Sequence, residues 1–139
     1  MHRISSLFFL LLILTFTSCN HQYQDLTERP KARNIILLIG DGMGLAQVST
    51  AYYYQEGTPN FSRFRHIGLH QTTPIGARIT DSAAGATAFA TGHKSYNSAI
   101  GVDADTVPRK TILEMAAGLG MSTGVIATSS LTHATPACF

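Results

Sequence analysis

Asn34-Ile35-Ile36-Leu37-Leu38-Ile39-Gly40-Asp41-Gly42-Met43-Gly44 decides the fold class of this chain. Its five consecutive apolar residues, Ile35 to Ile39, read as a strand buried on both faces, the pattern of a parallel sheet. The glycines that follow permit a sharp bend and a close backbone approach to a ligand. Asp41 therefore projects from the carboxyl end of a strand, the edge at which open α/β sheets collect their ligands. A carboxylate there suits a cation such as Mg²⁺ or Zn²⁺. Its plain structural role is a turn aspartate bonding its own backbone. Nucleotide loops are excluded by spacing. Gly40, Gly42 and Gly44 alternate, while Leu45 and Gln47 stand where a dinucleotide fingerprint needs glycine, and no Gly-Lys-Ser/Thr follows.

Ile79-Thr80-Asp81-Ser82-Ala83-Ala84-Gly85-Ala86-Thr87-Ala88-Phe89-Ala90-Thr91-Gly92 is the second informative stretch. Alanines and other small residues after Ser82 predict a helix. A serine at its start faces free backbone N–H groups and the positive end of the helix dipole. That setting favours an anion and suits a serine that becomes a phosphoester. The structural alternative makes Ser82 an N-cap. The Gly-x-Ser-x-Gly elbow of α/β-hydrolases is absent.

Four landmarks in order resemble the N-terminal part of the alkaline phosphatase family. They are Asn34 to Gly44 with Asp41, Thr80-Asp81-Ser82-Ala83, Asn97-Ser98-Ala99-Ile100-Gly101-Val102-Asp103, and Thr132-His133-Ala134-Thr135-Pro136-Ala137. The resemblance covers about residues 33–139. It implies a three-layer α/β fold with a central, mostly parallel sheet, of which this chain supplies the N-terminal portion. It implies hydrolysis of small phosphate monoesters at alkaline pH, with two Zn²⁺ and one Mg²⁺. By resemblance Asp41 bridges the magnesium and one zinc. Ser82 ligates that zinc, attacks phosphorus and becomes a phosphoserine. Asp81 helps to hold a substrate-binding arginine. His133 and Thr135 complete what this chain shows of the magnesium corner. Histidine at position 133 replaces a hard oxygen ligand, which points to contact through water. The plain structural role of Thr135-Pro136 is N-cap and first helical residue.

Chemistry supports the two central assignments. A hydroxyl of ordinary pKa is a poor nucleophile, and metal coordination poises its alkoxide. His66, His70 and His93 fall in no matching motif, and Lys94 reads as part of a surface loop. Asp103 and Asp105 sit in a turn-like stretch that gathers too few oxygens for more than a rudimentary calcium loop.

Coarse patterning predicts strands over 34–39, 67–73 and 122–127, and helices over 45–55, 82–91 and 111–118. The three tyrosines Tyr52, Tyr53 and Tyr54 point in different directions on a helix and are expected in core and interface contacts. Three strands cannot cover both faces of a sheet, so exposed apolar edges are expected. The resemblance places the substrate-binding arginine and the other zinc ligands after Phe139. Residues 34–139 are accordingly read as the truncated N-terminal part of an alkaline phosphatase domain, inactive alone.

Residues 1–18 read as a signal peptide: a positive start, then an apolar block from Leu7 to Leu14, too short for a membrane span. Thr17-Ser18-Cys19 resembles a bacterial lipoprotein leader, with Cys19 the lipid-bearing residue. Residues 19–33 form a polar tether. The protein is expected to be exported, either periplasmic or anchored to a membrane through that lipid. Scattered basic residues and a net charge of +2 leave no footprint for nucleic acid. Cys138 is expected as a small buried thiol. A homodimer is compatible with the resemblance, although the sequence does not set the oligomeric state. Two other readings fit the residues: a related metal-dependent phosphodiesterase or sulfatase-type hydrolase, and a non-catalytic exported lipoprotein domain.

Overall fold

The computed structural model describes residues 32–139. The leader, Cys19 and most of the tether lie outside the described residues. The chain divides into two units, Met1–Leu37 and Leu38–Phe139. In the first, residues 32–37 have no regular structure. The second carries four α-helices in order, α1 Leu45–Tyr54, α2 Ser82–Thr91, α3 Ile112–Gly118 and α4 Ala134–Ala137, with a 3-10 helix Asn60–Arg63 between α1 and α2.

Each main helix has a local signal that sets its bounds. Asp81 caps α2 by accepting from the Ala84 N–H, and Gly92 ends it in the left-handed region at φ 74°. A residue without Cβ adopts that conformation at no steric cost. The α3 start is a capping box: the Thr111 hydroxyl accepts from Glu114 N at 3.1 Å, and a Glu114 carboxylate oxygen accepts from Thr111 N at 2.8 Å. The sequence spelled this Thr-x-x-Glu signature, and it moves Thr111 from first helical residue to cap.

The core is small and built on α2, which buries Ala83, Ala84, Ala86, Thr87, Ala90 and Thr91. Ala86 and Ala90 pack on Cys138, just past α4, with Phe139 against the cluster. Cys138 is a buried free thiol, as its sequence setting led us to expect. Small side chains let α4 approach α2 closely. They also limit what burial contributes: roughly 0.8 kcal/mol per methyl group, against about 1.5–3 kcal/mol for a large aliphatic side chain. Polar ties therefore weigh heavily here. The Thr87 hydroxyl is fully buried, donates to Ala99 O at 3.2 Å and accepts from Gly101 N at 3.0 Å. Thr87→Val keeps the volume but strands both backbone groups. It is expected to lower unfolding free energy by about 1–3 kcal/mol in urea titration, with Thr87→Ser near wild type.

The sheet is where expectation and structure part. Among the described residues the only β pairing is two isolated bridges, Ile75 with Tyr96 in parallel and Val102 with Pro108 in antiparallel sense. Stretches 34–39, 67–73 and 122–127 form no strand ladder. Their apolar side chains lie open: Leu38 is 80% exposed, Ile67 89% and Ile126 99%. A ladder needs a neighbour on at least one edge, and these segments find none among the described residues. The same shortage affects α1, which buries none of its residues. Tyr52, Tyr53 and Tyr54 are all exposed, so the expected core contacts are not formed among the described residues.

Candidate active site

Asp41 stands in a tight turn in which Met43 N donates to Gly40 O at 3.1 Å. Gly42 takes φ 67°, a value the third residue of such a turn reaches readily only as glycine. The glycine-rich stretch thus bends as its sequence implied and leaves the Asp41 carboxylate exposed.

From the far end of the described chain, Thr135 reaches this carboxylate. Its hydroxyl donates to Asp41 Oδ2 at 3.0 Å across 94 residues. The first and fourth landmarks of the sequence therefore meet. The helical role anticipated for Thr135-Pro136 is corrected: His133 is the N-cap of α4, and Thr135 and Pro136 lie inside its first turn. His133 takes the extended cap conformation and its side chain makes no capping bond. It is exposed. A cap defined by backbone alone leaves the Thr135 hydroxyl available for Asp41 and the imidazole available to solvent.

Ser82 is half-buried and is the first residue of α2, not its cap. The cap is Asp81, whose Oδ1 accepts from the third N–H of the helix, that of Ala84, and closes the first turn. Both Asp81 oxygens are engaged, Oδ1 by Ala84 N at 2.9 Å and Oδ2 by Ser98 N at 2.6 Å. The Asp81 carboxylate is thus a structural tie between α2 and the loop at 97–98. Hydrogen bonds join Asp41 with Thr135 and Asp81 with Ser98; none joins the two pairs among the described residues.

Two hard oxygens from Asp41 and Thr135 fit the chemistry of magnesium, which takes one or two carboxylates and keeps several waters. A protein zinc site needs at least three donors. Among the described residues no three His, Cys, Asp or Glu side chains converge to hold a metal.

Asp103 is committed elsewhere. Its Oδ1 accepts from Asp105 N at 3.0 Å and Val107 N at 2.9 Å, and its Oδ2 accepts from Arg109 Nε at 2.7 Å. An ion pair with Arg109 closes the loop. The carboxylate is therefore a loop brace, and the rudimentary calcium loop is ruled out by this occupancy. The signal missed in the sequence was Arg109, six residues on. Chiefly the Val107 N–H, helped by Arg109 and Asp105 against partial desolvation, holds the Asp103 carboxyl below its ordinary 3.8. A lowered folded-state value gives stability that is present above 3.8 and lost as pH falls through the folded value. Asp103→Asn is accordingly expected to flatten the acid limb of a stability–pH curve measured by urea unfolding.

Lys94 donates to Thr73 O at 2.7 Å and pins the segment before α2, consistent with a loop role. His70 stacks edge-on to Phe89 with ring centroids 5.3 Å apart.

The comparisons with known proteins agree with one another. The family model for alkaline phosphatase matches residues 32–139. Alkaline phosphatase H of Pseudomonas aeruginosa is 42% identical over 131 residues, covering 82% of this chain and 28% of that protein. The alkaline phosphatase of Escherichia coli is 44% identical over 122 residues, covering 81% of this chain and 26% of its own length. The chain thus spans about a quarter of the curated relatives it matches. Among solved structures, the alkaline phosphatase of the Antarctic bacterium TAB5 superposes with a TM-score of 0.69 at 54% identity, covering 71% of this chain and 29% of the other. Two histidine variants of that enzyme, each 52% identical to this chain, hold Mg. The meeting of Asp41 with Thr135, and a family match over all the described residues, lead to one assignment: this chain belongs to the alkaline phosphatase family.

Proposed function

We propose that this chain supplies the nucleophile and one metal corner of an enzyme that hydrolyses phosphate monoesters through a phosphoserine at Ser82. The hydrogen bond between Thr135 and Asp41 carries the reading, because it gathers two oxygen donors from opposite ends of the described chain.

Bound divalent cations, magnesium and zinc by family likeness, would lower the pKa of a coordinated hydroxyl and stabilise charge on the phosphoryl oxygens. Asp41 would hold magnesium directly and Thr135 would orient the carboxylate or ligate beside it. His133 would act through water, since an imidazole suits magnesium poorly. Asp81 fixes the first turn of α2 and so the direction of the Ser82 hydroxyl. Ser82 Oγ attacks phosphorus, an Oγ–P bond forms, and the ester P–O bond breaks to release the alcohol. Water then attacks the same phosphorus, the Oγ–P bond breaks, and inorganic phosphate leaves. Free N–H groups at the start of α2 favour the anionic phosphoryl group on Ser82. We further propose that the protein is exported, with Cys19 as lipid anchor.

Residues 38–139 substituted for the matching stretch of the TAB5 enzyme give a segment-replacement enzyme for testing this. With an aryl phosphate, zinc and magnesium, acid-quenched samples should carry phosphate on Ser82 by peptide mass spectrometry. Turnover with phosphate on any other residue, or on none, sinks the assignment. The 139-residue chain alone is expected to show no turnover.

A further inference from the structure

The third sequence landmark, at Asn97-Ser98, has no part in the chemistry above, yet it converges on the turn that carries Ser82. The Asn97 Nδ2 donates to Ile79 O at 3.0 Å. Its Oδ1 accepts from Asp81 N at 3.1 Å. One residue on, Ser98 N donates to Asp81 Oδ2 at 2.6 Å. We infer that Asn97 is a positioning residue for Ser82, clamping the peptide units just before it so that the hydroxyl holds one direction. This inference rests on the reading of Ser82 as nucleophile.

The side-chain amide does both jobs at once, its nitrogen donating and its oxygen accepting. An aspartate keeps the acceptor, loses the donor and faces the Ile79 carbonyl with a charge. A leucine fills similar space and makes neither bond. The clamp is itself well anchored. Ala99 N donates to Tyr96 O at 3.2 Å, closing a turn in which Ser98 takes φ 68°. Tyr96 is tied in turn to Ile75 by a bridge, so the loop is fixed from a second direction. A left-handed Ser98 is strained relative to glycine. That conformation turns its N–H toward Asp81, and Ser98→Gly keeps both the conformation and the N–H without the strain.

Both Asn97 bonds are exposed to solvent, so their contribution to global stability is small. Their placement makes them matter for Ser82: displacement of a reacting group by about 1 Å costs on the order of 10²-fold in rate.

Two measurements test the clamp. In the ¹⁵N-labelled 139-residue chain, Asn97→Leu should speed amide exchange at Asp81 about three- to tenfold. The amides of Met115 and Leu119 in and after α3 should keep their rates. In the segment-replacement enzyme, Asn97→Leu should lower kcat about tenfold or more with KM for the aryl phosphate little changed. Asn97→Asp should fall between, and Ser98→Gly should retain kcat. Unchanged exchange at Asp81, or parental kcat in Asn97→Leu, overturns the inference. A kcat loss matched by equal loss at Met115 and Leu119 also overturns it, since that marks unfolding. If Ser82→Ala keeps its turnover, the nucleophile assignment fails instead, whatever Asn97 does.

Discussion

Ser82→Ala in the segment-replacement enzyme should lose turnover of an aryl phosphate on the order of 10⁴-fold or more. The hydroxyl is the atom that forms the bond to phosphorus, and alanine at the first position of α2 leaves the helix intact. Asp81 caps that helix independently of the Ser82 side chain, accepting from Ala84 N at 2.9 Å. Folding and activity are therefore separable at this position. Circular dichroism and urea midpoints should match the parent while kcat collapses. Residual turnover above that level, or full phosphate labelling elsewhere in the chain, would remove Ser82 from its role.

Asp41→Ala should produce the second large effect, on metal rather than on the covalent step. The carboxylate is the one charged donor in the Asp41–Thr135 corner, and the hydroxyl alone is a weak magnesium ligand. Loss of even an outer-shell partner costs about 10–100-fold in metal affinity, so loss of the carboxylate should cost at least about 100-fold. Magnesium titration of the segment-replacement enzyme by calorimetry reads this directly. Thr135→Val should cost less, within the same 10–100-fold range or below, because it removes a hydrogen bond to Asp41 Oδ2 and keeps the charge. Equal magnesium affinity in the parent and Asp41→Ala would show that the corner is a structural contact only.

How much of this was legible beforehand divides along a physical line. The helix at Ser82–Thr91 was readable to its last residue. Asp at the cap, alanines in the body and glycine after the end are local preferences, decided within one turn of chain. The helices over 45–55 and 111–118 shifted by a single residue, where a cap was counted as helix. The three proposed strands were legible as extended apolar runs but not as a sheet. A strand acquires its hydrogen bonds from another segment, and nothing within Asn34 to Ile39 says which.

The candidate site shows the same division. Local motifs marked Asp41 and Ser82, and the family resemblance added Asp81, His133 and Thr135. Which of them touch was decided by packing: α4 against α2 through Ala86, Ala90 and Cys138 sets where the chain at 133–135 runs. Roles that depend on one distant partner were the ones not legible. Asp103 read as a turn residue with too few oxygens around it for a cation, and the structure gives one of its own oxygens to Arg109. Nothing near Asp81 in sequence announces its bond to Ser98, seventeen residues on.

By itself, then, the order of amino acids determined the bend at Asp41, the helix that begins at Ser82 and the family to which the residues point. Only the tertiary structure decided that Thr135 bonds Asp41 and that Asn97 grips the backbone on either side of Thr80. The reason is range: caps and turns are settled by dihedral preferences over a few residues, whereas a contact across 94 residues exists only after the intervening chain has packed.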